Sequence, residues 1–129
     1  MKATELMVGN WVLINGTPRK IQAVDGVDDE IMADDELYTL AEDRYHSEDK
    51  VEGVPITREI LEKNFEKKTF YGIYDDYFDL DIREYSDSIY VVTFHNCEAS
   101  FPDQSVTLSF VHQLQHFLNH CGIEHEIIL

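Results

Sequence analysis

Apolar and polar positions change period twice along this chain, and the changes divide it. Trp11 to Ile14 is an unbroken apolar run, Asn15-Gly16 follows, and then Ile21 and Ala23 alternate with Lys20 and Gln22 up to Val24. Extended segments on both sides of a dipeptide that tolerates positive φ predict a β-hairpin closed by a type I′ turn. Gly9-Asn10 before it and Asp25-Gly26 after it supply further turns, and residues 30–33 and 36–40 predict two more short strands. Strands this short and this closely spaced predict a small SH3-like β-barrel or curled sheet.

Residues 41–53 carry Glu42, Asp43, Arg44, Glu48, Asp49, Lys50 and Glu52 with no dense apolar pattern, which predicts a linker or exposed loop. Thr57 then suits the N-cap of a helix over 58–64, with Ile60 and Leu61 turned inward and Asn64 as a left-handed C-cap. Period two returns in residues 65–74, 77–85 and 88–95. In the second of these, Phe78, Leu80 and Ile82 alternate with Asp79, Asp81 and Arg83. The third is apolar on both faces and belongs in the middle of a sheet. Residues 99–101 predict a short fourth strand before Pro102, which lacks the N–H that a central ladder needs.

The last change, to period 3.6, marks a helix over 109–121, with Ser109 as N-cap and Gly122 just past its end. Phe110, Val111, Leu114, Phe117, Leu118 and Cys121 share an arc of roughly 120°, with His112, His116 and His120 on the far side. The apolar ending Ile127-Ile128-Leu129 is expected to dock. The expected fold class is α+β. A small β-rich unit with an acidic connector spans residues 1–53; a helix, an antiparallel meander of three or four strands and a terminal helix packed on the sheet span residues 54–129.

Charge narrows the function classes. Ten Lys and Arg against twenty-six Asp and Glu leave a net charge of −16. Residues 25–52 hold twelve acids and two bases, and no Lys or Arg follows Arg83. Such a surface repels nucleic acid and anionic membranes, so direct binding to either is disfavoured. No apolar run reaches the length of a membrane span, and the opening Met1-Lys2-Ala3-Thr4-Glu5 lacks a signal peptide's basic and apolar regions, so a cytoplasmic protein is expected. Cys97 and Cys121 lack Cys-x-x-Cys spacing and are expected to be small core residues.

Candidate chemistry is sparse. His112 and His116 are spaced for chelation on one helix face, but His112 and His120 stand about 12 Å apart, so the three do not share one ion. Gln113, Leu114 and Gln115 separate the first pair, and His-Glu-x-x-His is absent. The clusters Asp28-Asp29-Glu30, Asp34-Asp35-Glu36 and Asp75-Asp76 do not follow the EF-hand pattern and read as turn tips. The aromatic strands with Phe70, Tyr71, Tyr74, Tyr77, Phe78, Tyr85 and Tyr90 resemble a base-stacking platform but lack its positive field, which leaves packing or a protein-binding surface. No phosphate-cradling loop, nucleophile elbow or Cys/His signature is present, so neither an enzyme nor a cofactor is expected.

Lys2 to Leu6 with Val8-Gly9-Asn10-Trp11-Val12, Pro55-Ile56-Thr57 with Glu59-Ile60-Leu61, Asn64-Phe65-Glu66-Lys67 and Phe110-Val111-His112-Gln113-Leu114-Gln115 together resemble small uncharacterised proteins carried by prophages and mobile elements of Bacteroides-like gut bacteria. The acidic stretch around 44–53, His116 and His120 depart from that pattern. The resemblance implies a mobile-element setting and no particular activity. The expected function is a non-enzymatic accessory module that binds a protein partner, with His112, Gln113, Gln115, Trp11, Tyr74 and Tyr77 as candidate interaction or structural residues. The alternatives are an acidic DNA mimic that occupies a basic enzyme site and a small metal-dependent enzyme.

Overall fold

Asn15 and Gly16 take φ values of 51° and 83° in the computed structural model, which describes residues 1–40, 49–97 and 102–129. They close the predicted hairpin between β1 (Trp11–Ile14) and β2 (Thr17–Asp25), in the register Ile14↔Thr17 to Trp11↔Lys20. The chain divides into two compact units, Met1–Val54 and Pro55–Leu129.

In the first unit, β3 (Glu30–Ala33), β4 (Glu36–Thr39) and β5 (Val51–Gly53) complete an antiparallel sheet of order β4-β3-β2-β1-β5. The β3–β4 turn is Asp34-Asp35, both at positive φ, which short polar side chains tolerate best after glycine. No ladder joins β4 to β5 among the described residues, so the sheet is open and the expected closed barrel is not formed. The end of the expected linker is instead the strand β5. Val51 pairs with Ile14, and Asn15 holds Lys50 through bonds to its backbone from both sides. Residues 41–48 lie outside the described residues.

Alternation in β2 breaks at a bulge between Ile21 and Ala23. Ile21 is buried, but the extra residue turns Ala23 to solvent and Val24 packs against the core in its place. The core comprises Ala3, Leu6, Val12, Ile14, Ile21, Ile31, Ala33 and Tyr38.

The second unit begins with α1 (Arg58–Asn64), capped as predicted by Thr57, whose Oγ1 accepts from the Ile60 amide at 3.3 Å. Asn64 is not a left-handed C-cap. Phe65 ends the helix in extended conformation, and the Asn64 amide clamps the docked tail, accepting from Ile128 N and donating to Ile128 O at 2.7 Å each. Ile127 is buried beside this clamp.

The expected strand over 65–74 is two, β6 (Glu66–Lys67) and β7 (Tyr71–Tyr74), joined through a turn at Lys68–Phe70. β8 (Phe78–Ser86), β9 (Ile89–Asn96) and β10 (Gln104–Leu108) complete the order β10-β9-β8-β7-β6. β9 is paired on both edges, inside the sheet where it was expected. The strand expected over 99–101 lies outside the described residues; β10 follows Pro102 in a stretch whose Gln, Ser and Thr mask its extended character. Leu80, Ile82, Tyr90, Val92 and Leu108 supply the buried face of the sheet.

The terminal helix α2 (Val111–His120) starts two residues later than expected, with Phe110 as N-cap and not Ser109. Gln113 explains the shift: its Oε1 accepts from the amides of both Ser109 and Phe110, at 2.9 and 3.1 Å. Val111, Leu114 and Leu118 are buried, but so is His112, while Phe110 is exposed and Phe117 and Cys121 are half-buried. The inward face is therefore rotated from the predicted arc toward the histidines. Cys97 is exposed and is not a core residue.

Gly72 has no room for a side chain, because a Cβ there would lie 1.8 Å from the Leu80 carbonyl oxygen. Gly72→Ala is expected to lower unfolding free energy by at least about 2 kcal/mol in urea titrations, since backbone and not a flexible side chain has to move.

Candidate functional site

The second unit carries a cleft of about 250 Å³ built from α1 and the strands β6 to β9. α1 contributes Arg58 and Leu61, the β6–β7 segment contributes Lys67, Thr69, Phe70 and Tyr71, β8 contributes Ile82, Arg83 and Glu84, and β9 contributes Tyr90. Leu61, Ile82 and Tyr90 are buried, so the floor is apolar and fixed by the core. Around it stand three of the chain's ten Lys and Arg residues, with Glu84 the one carboxylate among the lining side chains. Among the described residues, none of Arg58, Lys67 and Arg83 is held in an ion pair.

The cations sit against aromatic rings. The Arg83 guanidinium lies 5.4 Å from the centre of the Phe70 ring and the Lys67 ammonium 5.3 Å from that of Tyr71. Tyr71 donates to Glu62 at 3.2 Å and Tyr90 donates to the Ile56 carbonyl at 3.3 Å. Burial holds both phenols above the ordinary tyrosine range, and Arg58 opposes that push on each, which puts its charge close to both rings. A β-bulge at Glu84/Ser86 leaves Tyr85 without a ladder partner and 77% exposed. Arg83, Glu84, Tyr85 and Val91 border a second hollow, which shares Arg83 and Glu84 with the cleft.

None of the six residues singled out by sequence lines this cleft. Trp11 is in the first unit, opposite Lys20 in the ladder, with the Lys20 ammonium 5.7 Å from its ring centre. Tyr74 is half-buried and donates to Asp81 at 2.8 Å; burial and that carboxylate hold its phenol far above the ordinary range, which makes it a structural hydrogen-bond donor. Tyr77 is exposed on the Asp75-Asp76 turn, which Asp75 closes by accepting from the Tyr77 amide. His112 and Gln113 are brought together at the start of α2, where Gln113 ties down the backbone and His112 stacks on Phe110 at 5.8 Å. Gln115 is half-buried on the same helix.

His112 and His116 meet edge to face at 6.0 Å, and His120 is exposed. Among the described residues, one group of three possible metal ligands converges: Asp25, Asp28 and Glu30. Asp25 already accepts from the amides of Val27 and Asp28, so its carboxylate closes the turn after β2, as a turn tip does. Among the described residues, no helix is long and apolar enough to cross a membrane. In comparison with known proteins, the chain matches no family model, and neither a curated sequence nor a solved structure is significantly similar to it.

Two histidines are expected to titrate on opposite sides of the ordinary value. Asp103 accepts from the His95 ring and holds its pKa up, whereas burial alone holds that of His116 down. The His95–Asp103 contribution to stability is thus full below about pH 6.5 and fades as pH rises through the raised value. His116 instead lowers stability as pH falls below about 6.5, because the unfolded chain binds its proton first. Two-dimensional NMR titration of the imidazoles is expected to order them His116 below His95, with His116→Gln flattening the loss of stability toward pH 5.

Proposed function

We propose that this protein is a non-enzymatic accessory module that binds a protein partner through the Arg83-centred face of its second unit. One observation carries the reading. In a chain of net charge −16, three cations without ion-pair partners among the described residues line one cleft with Phe70 and Tyr71, and Tyr85 borders the hollow beside it. Arginine and tyrosine are the residue types that dominate binding energy at protein interfaces, because each combines a large contact area with directional hydrogen bonding. An acidic remainder then serves solubility and repels wrong partners, while the cationic face selects one that presents the opposite sign.

The resemblance to mobile-element proteins supplies the setting: a phage or mobile-element product acting in the cytoplasm of its bacterial host. A DNA mimic remains the second reading, and the acidic stretch of the first unit is what favours it. The two readings use different surfaces. A mimic loses its target when first-unit carboxylates are neutralised, whereas the module loses its partner when the Arg83 face is changed.

Affinity capture from host lysate with the wild-type chain and with an Arg83→Glu, Tyr85→Ala variant separates them. Both positions are exposed, so the variant is expected to fold with unchanged thermal stability and to lose a reproducible wild-type partner. Equal recovery of that partner by the variant would overturn the assignment to this face.

A further inference from the structure

We propose that the free edge of β10 is a strand-addition site for an extended, basic segment of a partner protein. This surface goes beyond the Arg83 face, from which β9 separates it in the sheet.

Backbone geometry decides which groups the edge offers. Cys97 N donates to the Tyr77 carbonyl at 2.9 Å, which makes Tyr77/Cys97 a hydrogen-bonded pair continuing the β8–β9 ladder. Such pairs recur at every second residue of an antiparallel ladder, so Asp79/His95, Asp81/Thr93 and Arg83/Val91 are bonded too, and these β9 residues turn their amides and carbonyls to β8. The alternate residues of β9 then bond β10, through Phe94/Gln104, Val92/Val106 and Tyr90/Leu108. The amides and carbonyls of Ser105 and Thr107 are left pointing away from the sheet, and no backbone partner meets them among the described residues. Two contacts agree with this phase. The Thr93 and Ser105 hydroxyls meet at 2.8 Å, as the closer side chains of a pair without backbone bonds do. Ser109, next in the outward series, accepts from Ile56 N at 3.0 Å, and Pro55 bridges Phe110 in antiparallel sense. The chain thus fills the last outward position itself and leaves the two before it.

Among the four sheet edges of the described residues, β10 is the one without a device against pairing. β6 has two residues, both charged, β5 has three, and β4 begins with Glu36 after Asp34-Asp35. Short length and charge are what keep sheet edges from other chains. Gln104–Leu108 is five residues long and uncharged, with Gln104, Ser105 and Thr107 exposed.

Charge selects the occupant. Residues 84–129 hold six acids and no Lys or Arg. On the outer face of the sheet, the rows that end at this edge run Asp79, His95, Asp103 and Asp81, Thr93, Ser105. At the other end of β10, Glu84 and Glu59 act on Tyr90, the neighbour of Leu108, against Arg58 alone. A strand laid along the edge meets an excess of carboxylates at both ends, so Lys and Arg favour it; a second copy of this chain brings the same acids and is repelled. One face of the added strand lies beside Asp103 and Ser105, and the other extends the row of Val106 and buried Leu108, so basic and apolar residues alternate in it. Main-chain bonds supply the affinity and that alternation the selectivity.

The probe is an acetylated, amidated eight-residue peptide of alternating lysine and valine, added to the full chain at about pH 8, above the ordinary imidazole range, and followed by amide hydrogen exchange in NMR. Exchange is expected to slow at Ser105 and Thr107, while Gln104, Val106 and Leu108, already bonded to β9, hardly change. The same peptide with glutamate for lysine is expected not to bind, and added salt to weaken the lysine peptide. Thr107→Lys is expected to weaken that peptide about tenfold, and Thr107→Glu to tighten it, a gain that misfolding does not produce.

Exchange unchanged at Ser105 and Thr107, or slowed alike at all five residues of β10, a glutamate peptide that binds as tightly, or an unaffected Thr107→Lys would each overturn the site. Protection of Ser105 and Thr107 that grows with protein concentration in the absence of peptide would give the edge to a second copy and overturn the basic occupant.

Discussion

The second unit depends on one apolar contact surface, the inner face of its sheet closed over by α2. Leu80, Ile82 and Val92 from the sheet and Val111, Leu114 and Leu118 from the helix are all at most 2% exposed. A ten-residue helix is marginal in water by itself, and each fully buried aliphatic side chain contributes about 1.5–3 kcal/mol. Burial is therefore what makes the helix, not its intrinsic propensity. The same burial fixes Ile82 and Tyr90, and through them the floor of the cleft. With a net charge of −16 working against compaction, this surface also offsets self-repulsion.

Where local chemistry decides a conformation, the sequence is a sufficient guide. Asn15-Gly16, Thr57 and the Phe78-to-Arg83 alternation each determine a turn, a cap or a strand face within a few residues. The departures come where a non-local term wins. Asn64 has the residue type of a left-handed cap, yet a tail more than sixty positions away offers its amide better hydrogen bonds. His112 belongs by type to the wet face of α2, yet the helix rotates to bury it beside Val111, and no periodicity encodes that rotation. Bulges at Ile21/Ala23 and Glu84/Ser86 shift the inside-outside pattern by one residue, which a strict period of two does not anticipate.

The cleft was hidden from sequence reading for a related reason. Its ten lining residues come from a helix and four strands spread over residues 58–90, and attention falls first on the histidines and the aromatic run. One signal was present. Residues 58–68 hold four bases and three acids, a cationic stretch in a chain whose residues 25–52 hold twelve acids and two bases. Local charge contrast, not absolute charge, marks this site. Trp11, Tyr74 and Tyr77 were conspicuous because aromatic residues often bind, but Tyr74 spends its hydroxyl on Asp81, inside its own sheet.

The central claim is that burial of Val111, Leu114 and Leu118 against the sheet, and not intrinsic propensity, holds α2 and with it the inner face of the second unit. Leu114→Ala separates the two, because alanine raises helix propensity while it removes buried apolar volume. In urea titrations a loss of about 2–5 kcal/mol of unfolding free energy is expected. Unchanged or raised stability would contradict it.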